Sequence, residues 1–459
     1  MSDTAGRAPV VTVVGGGLAG CEVALQVADR GYPVRLIEQK PLRRTPAQTS
    51  DQLAELVCSN SFRSANPQNA IGLLKVEMRQ VGSHVMRLAD VHAVPAGDAL
   101  AVDRDRFADA MTEAVRAHPL IAVEHGIVES IPGGLTVLAT GPLTGPELAT
   151  DLARRAGRDA LYFYDAIAPI IDDASIDWDV VWRQSRWDKG EGADYANIAL
   201  DRDAYLAFVE AVCAGDKVVP REFEEARYFE GCLPIEVMAE RGPLTLAHGP
   251  MKPVGLTDPK TGRWPFAVVQ LRMENREGTA WNMVGFQTRL KYPEQKRIFS
   301  ALPGLGQADF LRFGSVHRNT YVHAPTLLSD ALHWHDDPDL YLAGQITGVE
   351  GYVESTACGL LVAWQVLARL RGRALPPPPA TTAFGAMRRH LRGDGMLSDY
   401  APSNLNWSLF DALPDEERRS PKGRKLAKGD VRVKLVERAT AAMTAWWREA
   451  ADVVGASPP

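Results

Sequence analysis

The stretch Val10–Glu38, VVTVVGGGLAGCEVALQVADRGYPVRLIE, decides the fold class. Val10–Val14 is a short β-branched run, as expected of a strand buried in a parallel sheet. Three glycines follow. Leu18, Cys21, Val23–Leu25 and Val27–Ala28 then lay an apolar stripe along a helix that Gly31 stops. Pro33–Glu38 reads as a second strand, so the whole is a βαβ unit. Gly15, Gly17 and Gly20 fit G-x-G-x-x-G. The first glycine makes the turn, the second lets backbone approach a pyrophosphate, and the third lets helix and strand pack closely. Glu38 ends the second strand, where a carboxylate accepts ribose hydroxyls. With strand, helix, second strand and terminal acid all in place, the motif predicts a bound dinucleotide contacting Gly15, Gly16, Gly17, Leu18, Ala19, Gly20 and Glu38.

Two further segments favour FAD over NAD. Gly134–Gly141 reads as a strand ending in ATG, and Ala343–Gly351 reads AGQITGVEG. These are where flavoproteins return chain to the cofactor, which adds Gly141, Gly344, Gln345 and Gly351 to the expected contacts. Gln345 stands where many flavoproteins carry Asp, so contact there must use a neutral side chain and backbone N–H groups. The expected fold is α/β, a Rossmann-type FAD-binding domain of the glutathione-reductase kind. Its first part would span 8–171 and its return segment 330–374. Around Asp172–Asp203 the character turns Trp-rich and polar, so an inserted α+β domain facing the substrate is placed at 172–329. Within it Trp264–Asn275 and Thr279–Leu290 read as antiparallel strands. After the LPPPP linker at Leu375–Pro379, residues 380–459 form a helical, basic C-terminal segment.

The bulk numbers exclude several classes. In 459 residues with 46% hydrophobic content, no apolar run reaches the length of a membrane helix. The N-terminus lacks a hydrophobic signal region, so a cytoplasmic location is expected. The five cysteines, Cys21, Cys58, Cys213, Cys232 and Cys358, include no C-x-x-C pair, which argues against a disulfide framework or a zinc site, and no metal is expected. The net charge of −6 argues against a wholly basic nucleic-acid binder. Arg388–Arg392 and the run from Arg418 to Arg438 are nevertheless basic clusters. Each is a solvated face or a phosphate-tracking surface.

Other segments carry a closer resemblance. AELVCSNSFRS (Ala54–Ser64), NAIGLLKVEMR (Asn69–Arg79), PAGDALAVDRDRF (Pro95–Phe107) and SRWDKGE (Ser185–Glu191) are four of them. FEGCLPIEVMAERG (Phe229–Gly242), GPMKPVGLTDP (Gly249–Pro259), FQTRLKYPEQKR (Phe286–Arg297), HRNTY (His317–Tyr321) and Ala343–Ser355 are the others. Together they resemble the folate- and FAD-dependent tRNA (uracil-5-)-methyltransferases of bacteria, closely from Val10 to Leu370 and loosely beyond. Phe62 stands where that family usually has Leu, Asp98 where it has Gly, Trp187 where it has Tyr, and Cys358 where a small residue is expected. No reactive group is lost by these changes, but a uridine in ribosomal RNA stays open as an alternative target to tRNA.

The resemblance implies that methylenetetrahydrofolate donates the carbon, that FAD carries both methylene and hydride, and that NADPH or NADH is the reductant. Uracil C5 is a poor nucleophile, and addition of a thiolate at C6 makes it reactive. Cys232, on a turn between Gly231 and Pro234, is the expected nucleophile or its immediate partner. Cys58 is the expected second thiol, near the flavin. Which of the two attacks is open from sequence. Cys21, Cys213 and Cys358 are read as packing. Thiolates need positive surroundings, for which Arg63 and Arg241 are near in sequence. Arg289 and Lys291, with Lys296 and Arg297, are candidates for phosphate or the folate tail. His317 and Arg318 are candidates to line the site. The target base must leave its loop, and Trp187 or Tyr352 is either a stacking partner or core. No obligate protein partner is evident.

Three alternatives compete, one of them a non-catalytic RNA-binding flavoprotein, for which the two retained cysteines are awkward. Flavoproteins that install carboxymethylaminomethyl groups on wobble uridines are longer and usually carry His at the position of Leu18. A plain nicotinamide–flavin oxidoreductase leaves the basic C-terminal segment unexplained.

Overall fold

Val11–Val14, wholly buried, is a central strand of a six-stranded sheet. The order is His333–Trp334, Asp337–Leu342, Thr136–Leu138, Val11–Val14, Val34–Glu38, Ile121–His125. Neighbours are parallel except at the His333–Trp334 edge. The computed structural model describes the chain except residues 1–7, 46, 158–160, 167, 191–192, 219–232, 276–277, 315, 395–399, 401, 420–423 and 457–459. At 161–166 and 316–318 it gives backbone alone.

The first helix, Leu18–Ala28, packs between this sheet and a second long helix, Tyr352–Leu370. Gly20 permits the first contact, since a Cβ there would stand 1.9 Å from the Gly15 carbonyl oxygen. Gly359 permits the second, since a Cβ there would stand 2.7 Å from the Ala19 carbonyl oxygen. Glu22 is the polar exception on the first helix. Its buried carboxylate accepts from Gln26 Nε2 at 2.8 Å, Ser83 Oγ at 3.0 Å and the backbone N–H of Val85 at 2.9 Å, and so ties down the start of helix His84–Val91.

A second sheet runs Trp182–Arg183, Tyr195–Leu200, Ala267–Met273, Ala280–Met283, Ile170–Asp172, Phe310–Arg312, antiparallel throughout. The two strands expected at Trp264–Asn275 and Thr279–Leu290 pair here with Leu271 opposite Met283, each shorter than the apolar run suggests. Helices Arg202–Ala214 and Tyr292–Phe299 cover this sheet, and Ile198, Phe208, Trp281, Phe286 and Phe299 form a separate core.

The C-terminal segment shares the first core. Trp446 and Trp447 of the helix Lys428–Val454 lie 5.5 and 5.0 Å from the ring of Trp364. Glu77 caps helix Ala383–Arg392 by accepting from the backbone N–H groups of Ala383 and Phe384, and burial pushes its carboxyl up to about 8. Farther along, Tyr400 donates to the Thr347 carbonyl at 2.5 Å, and His390 bonds the Gly348 carbonyl at 2.9 Å. The basic residues of the first cluster are tied inward, Arg388 and Arg392 to Asp330 and Arg389 to Asp411.

Candidate functional site

A cleft of about 1120 Å³, counting its open mouth, runs across the carboxyl ends of the parallel strands. Gly15, Gly16, Gly17, Leu18 and Ala19 line its floor, Glu38 one wall, and Gly141, Gly344 and Gln345 the others. Gly20 lies behind the floor, and Gly351 caps the helix Tyr352–Leu370 with φ +108°. Glu38 is buried; one carboxylate oxygen accepts from the Gly16 N–H at 2.7 Å and the other from the Lys40 N–H at 2.9 Å. Each oxygen retains a lone pair for a ribose hydroxyl.

This surface fits a dinucleotide. A Cβ at Gly17 or at Gly141 would meet nothing within 4 Å, so the backbone at both is bare toward the cleft. The N-terminus of the first helix points its free N–H groups at the same place. Glu38 would hold the ribose of FAD and the Gly15–Gly17 backbone its pyrophosphate, and Val57 and Tyr352 also line the cleft. Gln345 gives an amide N–H to Glu350 at 2.6 Å, which fixes the return loop and leaves contact mainly to backbone.

Cys58 follows Val57 and lies against Tyr352, both of which line the cleft. The Tyr352 oxygen accepts from the backbone N–H groups of Cys58 at 2.8 Å and Ser59 at 3.3 Å, and lies 3.0 Å from Cys58 Sγ. Those two donors occupy the phenol's two lone pairs, so its own proton goes to the sulfur. Burial and the neighbouring thiol push the Tyr352 hydroxyl well above its ordinary value, which keeps that proton in place. Phe62, buried, supports the Tyr352 ring at 5.9 Å.

The loop that carries Cys58 is clamped from two directions. Arg272, on the strand Ala267–Met273, donates to Asn60 Oδ1 at 3.0 Å and Ser59 Oγ at 3.2 Å. Asn60 Nδ2 donates to the carbonyls of Val102 and Met273 at 2.9 and 2.8 Å. Arg104 donates to the Leu56 carbonyl at 2.7 Å and is paired with Glu274 at 2.7 Å. The charges of Arg104 and Arg312 both couple to the Cys58 thiol. Sequence reading did not single out Arg104, Arg272 or Arg312; only Arg104 lies in a quoted motif, and nothing in their spacing points to Cys58. Arg63, which it did single out, gives its guanidinium to the buried carboxylate of Glu354 instead.

The remaining candidates divide. Cys232 lies outside the described residues. The residues that follow it are firmly placed, because Glu236 accepts from Thr288 Oγ1 and the Arg289 N–H at 2.9 and 2.8 Å. The Arg289 guanidinium also sits by Glu236 and Glu240, at 3.4 and 3.9 Å, and Lys291 pairs with Asp216 at 3.4 Å; neither lines the cleft. His317 and Arg318 stand opposite Asp165 and Tyr164 in a two-stranded ribbon, where the backbone alone is described. Cys21 and Cys358 are buried, and burial pushes both thiols up, as packing groups require; Cys213 is partly buried and shifted the same way. Among the described residues no cluster of His, Cys, Asp or Glu could hold a metal ion, and no helix is long and apolar enough to cross a membrane.

The family model described as glucose inhibited division protein A matches residues 10–374. The methylenetetrahydrofolate–tRNA-(uracil-5-)-methyltransferase TrmFO of Anaeromyxobacter dehalogenans strain 2CP-C is 57% identical over 95% of this chain and 96% of its own. That of Myxococcus xanthus is 57% identical over 90% and 91%, and that of Zymomonas mobilis 50% over 96% and 97%. The chain belongs to this methyltransferase family. Its fold is also that of GidA from Aquifex aeolicus, with a TM-score of 0.67 at 14% identity, covering 99% of this chain and 76% of that one. Members of the family are flavoproteins, in keeping with the bare glycine floor and the Glu38 wall found here.

Proposed function

We propose that this protein methylates C5 of a uridine in tRNA, taking the carbon from methylenetetrahydrofolate and using bound FAD with NADPH or NADH as reductant. One observation carries the reading: a chain 57% identical to named methyltransferases holds a thiol, gripped by a phenol, beside a dinucleotide cleft. Bound FAD would supply methylene transport and the hydride that completes the methyl group.

The protein's own groups do the rest. Addition of a thiolate to C6 makes C5 nucleophilic, and Cys232 or Cys58 supplies it. Cys58 is placed to exchange a proton near the flavin, since Tyr352 holds its sulfur by a hydrogen bond and the cations Arg104 and Arg312 lie near it. Arg272 and Asn60 fix the loop against the inserted sheet, so that the thiol does not drift as substrates exchange. The target is tRNA in preference to ribosomal RNA, and the work is done in the bacterial cytoplasm without an obligate protein partner.

The test is direct. The purified flavoprotein is incubated with reduced nicotinamide, methylenetetrahydrofolate and an unmodified tRNA transcript or ribosomal RNA, and nucleosides are analysed for 5-methyluridine. Methylation of the tRNA is expected. Brisk nicotinamide oxidation with no 5-methyluridine in either RNA would overturn the reading.

A further inference from the structure

Trp187 and Trp264 are 61% and 52% exposed, with rings 6.0 Å apart and nearly perpendicular. Large aromatic side chains are rarely left in water as a pair without a partner. Their exposure is built in. Trp187 has φ 58° and ψ 29°, and Asp188 follows with φ 50°, two successive left-handed residues of a kind that bulky side chains adopt only when held there. The holding groups are visible. The Arg186 guanidinium donates to Gln270 Oε1 at 2.8 Å and to the Val254 carbonyl at 2.7 Å, while the Trp187 N–H donates to the Gly255 carbonyl at 3.0 Å. The indole rests on the bare backbone of Gly255, where a Cβ would come within 2.9 Å of it. The loop therefore turns the ring outward.

Exposed cations lie in the chain segment that carries Gly255 and Trp264. Lys252 and Lys260 are exposed, as is Arg263 next to Trp264, and among the described residues none of the three pairs with a carboxylate. Lys189, by contrast, is taken up by Asp98. That ion pair also locates the platform. Gly190 packs on Gly97, and the Asp98 carbonyl accepts from Ala65 at 2.6 Å, directly after the strand Ser61–Ser64 that continues the Cys58 loop.

We propose that Trp187 and Trp264 form a stacking platform for an unpaired nucleobase of the RNA, other than the target uridine, with Lys252, Lys260 and Arg263 on its phosphates. The proposal rests on the RNA methyltransferase reading above. An exposed aromatic face beside unpaired cations is complementary to a base and its phosphates, whereas an apolar protein surface would gain nothing from the charges.

The test uses the full flavoprotein and unmodified tRNA transcript. Trp187→Leu is expected to raise the KM for tRNA about tenfold, with kcat and RNA-independent flavin reduction unchanged. Trp187→Tyr, which keeps a stacking face, is expected to stay near wild type. Replacing Lys252, Lys260 and Arg263 together with Ala should lower the slope of log KM against log salt by about 2. An unchanged KM in Trp187→Leu overturns the proposal, as does an equal rise in the Leu and Tyr variants, which would make the ring a structural prop. A change in sedimentation with KM unchanged would assign the patch to contact between copies of the chain and overturn it too. A wild-type protein that methylates no tRNA would instead sink the function itself, a result separable from all of these.

Discussion

Gly15–Gly20 and Leu53–Ser64 both serve the one cleft, but they are held by partners at very different distances along the chain. The glycine turn is completed by its neighbours: Gly20 packs on Gly15, and Gly16 donates to Glu38, 22 residues on. The thiol loop depends on remote groups. Cys58 is held by Tyr352, 294 residues away, and Asn60 by Arg272, 212 away. The first region has its chemistry in backbone geometry. The second has it in side chains that only the finished fold assembles, so its parts should fail separately where the turn fails as a unit.

The largest effect should come from the turn. Gly20→Val forces a side chain into the Gly15 carbonyl, with no flexible neighbour to give way. It should destabilise the fold by more than about 4 kcal/mol and abolish flavin retention. Flavin content per chain and the thermal midpoint check this, and a yellow variant with a normal midpoint would break the contrast. Next comes Cys58→Ala, expected to lower methylation by about 10²–10⁴-fold with flavin content unchanged. The same outcome is expected for Cys232→Ala. Loss of flavin in either would show the thiol to be structural.

These two regions were legible to different degrees for the same reason. A βαβ unit is local, so Val10–Glu38 could be read from spacing alone. The role of Cys58 came from resemblance, because no local pattern reveals Tyr352 or Arg104 beside it. Of the two cations expected from sequence proximity, Arg63 is consumed by Glu354, and proximity in sequence gave no hint of that. The C-terminal segment shows the same limit. Its charge suggested an outer basic surface, while Trp446 and Trp447 pack into the first core, and Tyr400 and His390 reach the return loop at Thr347 and Gly348.

Tyr352→Phe probes the remote support itself. It removes the proton donated to Cys58 and strips two backbone N–H groups of their acceptor. Methylation should fall about a hundredfold, and stability by about 1–3 kcal/mol. Because the wild-type hydroxyl titrates well above its ordinary value of 10.0, it should give the methylation profile no falling limb below that pH. Equal loss of flavin and activity would mean that the hydroxyl acts only by holding the wall of the cleft in shape.

The smallest effect distinguishes the loop from the turn by its pH dependence. Lys75 is fully buried and donates to the Phe62 carbonyl at 2.8 Å, supporting the strand that follows Cys58. Burial, helped by the charge of Arg63, lowers its pKa from 10.5 to about 7. Between those two values the unfolded chain binds more protons than the folded one, so this group makes stability rise with pH. Glu77 acts oppositely between 4.5 and about 8, but it is common to wild type and Lys75→Met and cancels in their difference. Denaturant unfolding of both proteins at pH 7 and pH 10 should therefore show the difference moving in favour of wild type by on the order of 2 kcal/mol at the higher pH. A difference that stays flat would mean that Lys75 keeps its proton in the folded protein, with Glu354 near enough to hold the charge. The glycine turn should show no such dependence when Gly17→Ala is compared with wild type over the same range.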